Sequence, residues 1–228
     1  MIGRQVFARS LLAASGLPRC PAADGDRPVA PVTWRHPADG PTPAPGPLLP
    51  WLFQLAETRA VLFHGSAHRG LVELSDVRRS RDMTSYGDQR AVFASQDPVW
   101  AMWFAILRRG SGLVSTRNAS LGADAGVRGR RYLFSVNATG ERFGPGALYV
   151  LPDAGFAHEP RLAGLFDTAH RTHIGPVRPL AWFEVGPEDF PLLDRVGAHR
   201  EDERMARTFW NGRRAPADRC GAGRRPRP

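Results

Sequence analysis

The residues best suited to chemistry are His64, Gly65 and Ser66, which follow the apolar run Ala60, Val61, Leu62, Phe63. An imidazole exchanges its proton near neutral pH, and in its neutral form it offers one donor and one acceptor nitrogen. Gly65 has no Cβ, so a ligand can come close to its backbone. A second run, Ala91, Val92, Phe93, Ala94, Ser95, answers the first. A titratable side chain and a bare backbone thus meet at a strand end, which makes the triplet a candidate ligand site. The competing reading is a structural histidine held by a hydrogen bond.

Several elements must position this triplet. Trp51, Leu52, Leu55 and Ala56 have the spacing of a short helix leading into the first strand, Ala60–Phe63. Leu71–Leu74 suggests a short extended piece before a polar loop over 76–90. That loop carries Arg78, Arg79 and Arg81, which suit a diphosphate through bidentate pairing, and Tyr86, a ring able to fold over a ligand. After the second strand, Ser95 or Asp97 can cap a helix that has Pro98 in its first turn and that stops at Gly110. On that helix Trp100, Trp103 and Phe104 share one face, a spacing that also suits core packing. The stretch 111–130 has no periodicity and is expected to be a long loop. Tyr132–Val136, Ala147–Leu151 and Pro179–Val185 are expected strands.

The flanks differ from this core. Residues 1–50 contain Pro41, Pro43, Pro45, Pro47 and Pro50 in close succession and are expected to form a disordered Pro/Ala-rich leader and linker. Met1–Pro18 loosely resembles a targeting peptide, but Arg9 interrupts its apolar stretch. The domain is expected to span 51–196, and residues 197–228 to form an Arg-rich flexible tail. All 31 basic residues are arginine, and the net charge is +9. Arginine without lysine, beside abundant Ala, Gly and Pro, is what a GC-rich coding sequence yields, so the charge argues only for a weak nucleic-acid contact through the tail. Cys20 and Cys220 lie in the two flanks, which gives no disulfide or metal framework and fits a reducing cytoplasm. No apolar run reaches the roughly 18 residues of a membrane span, so no membrane partner is expected.

The order of helix, strand with His64-Gly65-Ser66, loop, strand with Val92-Phe93-Ala94-Ser95, helix and further strands resembles the ADP-ribosyltransferase-like superfamily over about Val61–Val185. That superfamily includes poly-ADP-ribose polymerases, bacterial toxins and RNA 2'-phosphotransferases. The resemblance implies an α+β fold with a split, mostly antiparallel sheet and flanking helices. It also implies NAD as substrate. Gly65 would hold the nicotinamide amide, His64 a ribose hydroxyl, and Trp103 would be the ring stacked on nicotinamide, with Ser66 and Tyr86 lining the same cleft. Where family members carry a late-strand glutamate, the matching zone here holds His170, Arg171 and His173. His170 and His173 are then the candidate bases beside His64, while Glu159, Asp167 and Glu184 are the nearest carboxylates. Departure of nicotinamide develops positive charge on the ribose, which is why a nearby carboxylate matters.

Three classes of function follow. One is a monomeric enzyme passing ADP-ribose from NAD to an unknown acceptor. Another is a non-catalytic module for ADP-ribose or an RNA end. The third is a partner-binding domain with no small-molecule site.

Overall fold

The computed structural model describes residues 2–20, 33–58, 60–75, 89–110 and 112–212. Its fold is α+β. Six strands form the larger sheet: β1 (Val61–Ser66), β2 (Val92–Ser95), β5 (Gly146–Pro152), β6 (Ala157–His158), β7 (His170–His173) and β8 (Ala181–Val185), in the order β6-β7-β2-β1-β5-β8. Every neighbouring pair in it is antiparallel. A smaller sheet joins β3 (Leu113–Leu121), β4 (Arg131–Ala138) and β9 (Gly197–Ala198) in the order β3-β4-β9, the last pair being parallel.

Helix α3 (Pro98–Ile106) lies in the main core. Asp97 caps it by accepting from Val99 N at 3.0 Å, and Pro98 takes the first turn, where a missing N–H costs nothing. Apolar residues surround this helix, as a segment enclosed on all sides requires. Ala101, Met102 and Ala105 share a buried cluster with Phe63, Leu148 and Val150 of the large sheet and with Tyr132, Phe134 and Val136 of the small one. Helix α2 (Leu48–Thr58) adds Leu49, Leu52, Phe53 and Leu55 to the same cluster.

Two glycines let α3 approach the large sheet. A Cβ on Gly65 would overlap the Ala101 carbonyl oxygen and stand 2.7 Å from Ala105 N, and one on Gly146 would overlap the Ala105 carbonyl oxygen. The alanines Ala101 and Ala105, one turn apart, thus sit against two strand positions without side chains. This is the physical reason for Gly65, and it differs from the open ligand approach expected from the sequence.

Four sequence expectations are corrected. The leader is not wholly irregular: α1 (Ile2–Ala14) packs Ala8 and Leu12 on Leu121 and Ala123, and Thr42 N donates to Trp182 O at 2.8 Å while Trp182 Nε1 donates to Pro37 O at 3.1 Å. Local composition carried no signal of these contacts because they are made with residues more than a hundred positions away. The expected long loop over 111–130 contains the nine-residue strand β3. Its side chains are mostly half-buried, so it shows no clean alternation, and its pairing with β4 supplies the order. Residues 197–212 are also not a flexible tail, since β9 pairs with β4 and α4 (Met205–Gly212) buries Thr208. The expected extended piece at Leu71–Leu74 is reduced to one bridge, Leu74 to Val177.

Candidate functional site

His64 lies in the second half of β1. Paired residues in an antiparallel sheet share a face, and alternate residues along a strand face opposite ways. The register Phe63–Ser95–His170 places those three side chains on the α3 face. His64 therefore points to the other face, beside its partner Tyr149, with ring centroids 6.3 Å apart. Leu62, Val92, Ala94, Tyr149, Leu151 and Trp182 form the apolar floor of that face.

The pairing of β1 changes along its length. With β5 it continues through Ser66, whereas with β2 it is recorded only at Phe63–Ser95. Beyond that point the imidazole of His64 bridges the two strands: Nδ1 lies 2.6 Å from Phe93 O. A carbonyl can only accept, so Nδ1 carries the proton and neutral His64 presents Nε2 as an acceptor. Burial holds the imidazole below its usual pKa of 6.5, and the bond to Phe93 opposes that shift. Ser66 ends the strand, its hydroxyl accepting from His68 N at 3.1 Å. Tyr149, which sequence reasoning missed, fixes the following loop: its hydroxyl donates to His68 O at 2.7 Å and accepts from Leu71 N at 3.0 Å. Its signal was present in β5, where Ala147, Tyr149 and Leu151 alternate onto the face of His64.

The other expected site residues are dispersed. Trp103 is fully buried on the far side of the sheet, within 6 Å of the rings of Phe134, Phe143 and Phe190, and cannot stack on a ligand beside His64. The helical spacing of the aromatic residues reflected core packing. His170 is likewise on the α3 face, 4.1 Å between ring centroids from Trp100, with Nδ1 2.9 Å from Glu159 Oε2. It therefore cannot serve as a base for a group held by His64. His173 does share the face of His64, in register with Val92 across β2, and packs on Phe156. It lines an open depression of about 350 Å³ with Gln89, Thr172 and Ile174. Tyr86, Arg78, Arg79 and Arg81 lie outside the described residues.

The carboxylates sort in the same way. Glu159 accepts from Thr168 Oγ1 at 2.6 Å as well as from His170, on the α3 side. Asp167 accepts from Arg130 NH1 at 3.2 Å. Glu184 is in register with Ala147 and hence with Ser66, so it shares the face of His64, where it pairs with Arg69.

A buried polar network lies away from this face. Asp97 and Arg130 are both fully buried, with Arg130 Nε 3.7 Å from Asp97 Oδ2 and 2.8 Å from Ser120 Oγ. Tyr132 Oη donates to Asp97 Oδ1 at 3.2 Å. Burial raises the Asp97 pKa while Arg130 lowers it. The network ties the start of α3 to β3 and β4, and only the helix-start pattern at Ser95-Gln96-Asp97-Pro98 hinted at it. Among the described residues no group of three or more His, Cys, Asp or Glu side chains could hold a metal ion, and no helix is long and apolar enough to cross a membrane.

No protein-family model matches the chain, and neither a curated protein nor a solved structure matches it.

Proposed function

We propose that this protein binds NAD or another ADP-ribose-bearing ligand at the opening between β1 and β2, and that His64 Nε2 accepts a hydrogen bond from a ribose hydroxyl. The observation that carries this reading is the bond from His64 Nδ1 to Phe93 O at the point where recorded β1–β2 pairing has ended. A fixed tautomer with an acceptor nitrogen beside an interrupted strand edge is the kind of prepositioned group that recognises a hydroxyl. In a transferase, the bond from ribose C1' to nicotinamide breaks, nicotinamide leaves with the bonding pair, and an acceptor nucleophile bonds to C1' and gives up its proton. Glu184 is the carboxylate on the face of His64 and is the group we assign to steady the developing cation.

A second reading, a module that holds ADP-ribose without transfer, has its own support. Trp103 is packed in the core, and Glu184 is paired with Arg69. The two readings separate on one preparation of the full chain. NAD and ADP-ribose are expected to raise the melting temperature, and His64→Ala to remove the effect; saturation at about 100 times Kd stabilises by about 2.7 kcal/mol. Nicotinamide release that is lost in Glu184→Gln supports transfer, and ligand binding without release supports the module. No thermal shift with either ligand rejects both.

A further inference from the structure

Glu184, the carboxylate on the face of His64, has a cation beside it. Arg69 NH1 donates to Glu184 Oε1, and both side chains are half exposed. The turn that carries Arg69 is tied at three points: Ser66 Oγ accepts from His68 N at 3.1 Å, and the Tyr149 hydroxyl donates to His68 O at 2.7 Å and accepts from Leu71 N at 3.0 Å. Gly70 closes the turn in the left-handed region, at φ +70°. One phenol thus fixes the chain on either side of Arg69 and presents its guanidinium at Glu184, whose register partner Ala147 is also the partner of Ser66.

Arg69 bonds differently from an arginine that only joins two elements. Arg128 holds Glu57 with its side-on fork, Nε to Oε1 and NH2 to Oε2. Arg69 uses NH1, and among the described residues nothing occupies its Nε–NH2 edge. That edge is the fork that fits two oxygens of a phosphate. The reading at His64 makes a second demand. It puts Glu184 beside ribose C1' of a ligand whose diphosphate is joined to the same ribose through C5'. A carboxylate and a diphosphate that near repel, and a cation between them offsets the repulsion. Arg171, in register with Ala94 on the same face, is buried and donates to His170 O at 3.0 Å, whereas Arg69 already stands at the carboxylate.

We propose that Arg69 recognises the diphosphate of the ligand, keeping NH1 on Glu184 and turning its Nε–NH2 edge to the phosphate oxygens, with Tyr149 as the residue that positions it. The inference rests on the ligand reading at His64. It makes the diphosphate a determinant of specificity, so ADP-ribose and NAD are favoured over nucleosides that lack it. The sequence pointed instead to Arg78, Arg79 and Arg81, which lie outside the described residues. An arginine-rich run stands out in a chain, whereas a single arginine after His64-Gly65-Ser66 gains its meaning from Glu184, 115 positions away.

Calorimetry of the full chain with two ligands tests it: ADP-ribose, and nicotinamide riboside, which keeps the ribose hydroxyls and lacks the diphosphate. A half-exposed ion pair contributes little to stability, so ligand-free Arg69→Ala is expected to keep the wild-type melting temperature. The variant is expected to bind ADP-ribose about tenfold or more weakly and nicotinamide riboside within about twofold of wild type. Arg69→Lys, a charge without the fork, is expected to recover only part of the loss. His64→Ala is expected to weaken both ligands. The phosphorus NMR resonances of bound ADP-ribose report the diphosphate directly and are expected to differ between wild type and Arg69→Ala. Undiminished ADP-ribose binding in Arg69→Ala, or unchanged phosphorus resonances, overturns the inference and leaves the reading at His64 in place. An equal loss of both ligands also overturns it, because Arg69 then acts through the shape of the turn. Binding of neither ligand to the wild-type chain rejects the reading at His64 and this inference with it.

Discussion

His64 is defined by two nitrogens with different duties. Nδ1 is committed to Phe93 O, and burial keeps the ring neutral by lowering its pKa below 6.5. The sign of the pH dependence follows. The folded state binds fewer protons than the unfolded chain just below that value, so the contribution of His64 is fully present above about pH 6.5 and is lost as the pH falls toward the lower, folded-state pKa. The drop in melting temperature between about pH 7.5 and pH 5.5 is therefore expected to shrink in His64→Gln. An equal drop in both proteins contradicts the assignment. His199, also lowered by burial and by Arg117, supplies a residual acid sensitivity in either case. Gly65 makes a steric demand beside this titratable one. Gly65→Ala forces a methyl into the Ala101 carbonyl and is expected to cost at least about 1–3 kcal/mol in urea unfolding. An unchanged midpoint would show that α3 can retreat from the strand without loss.

Helix α3 and strand β1 show how one element can lose a function assigned to it and gain another. The pattern Trp100, Trp103, Phe104 was compatible with a stacking ring or with a core, and both lie on an apolar helix face. The enclosure of Trp103 by Phe134, Phe143 and Phe190 decides for the core. Trp103→Ala is expected to destabilise by about 3–5 kcal/mol. Trp103→Phe is expected to stay folded and keep the same ligand affinity in calorimetry. A selective loss of affinity in the folded Phe variant would return Trp103 to the site. The strand β1 is the counterpart. Its first half is ordinary sheet, and its second half pairs with β5 through Ser66 after its recorded pairing with β2 has ended.

At the scale of the whole molecule, the two sheets are joined by α3 and by the buried charges at its start. Arg130 and Asp97 have no exposed side-chain surface, so removing Arg130 leaves Asp97 without its counter-charge in a medium that solvates it poorly, and leaves Asp167 without its partner as well. Arg130→Met is expected to cost about 3–5 kcal/mol, and Asp97→Asn in that background to recover part of the loss. Chemical denaturation of the two variants measures this, and additive losses would contradict the pairing. The same scale separates what was legible in the chain from what was not. Apolar runs, the Asp97-Pro98 helix start and the alternation in β5 are local, and they marked α2, β1, β2, α3, β4, β5 and β8 to within a few residues. They also marked His64 as a distinctive group, because side-chain type and spacing are properties of neighbouring residues, whereas the α+β class was what the family resemblance implied. The face on which each side chain stands was decided by the tertiary structure alone. Strand register put His64, His173 and Glu184 on one side and His170, with Glu159 bonded to it, on the other, where α3 carries Trp103, and a strand shifted by one residue would have reversed its assignment. Order in α1, in β3 and in residues 197–212 was equally beyond the sequence, since it comes from contacts with distant parts of the chain that no local pattern encodes.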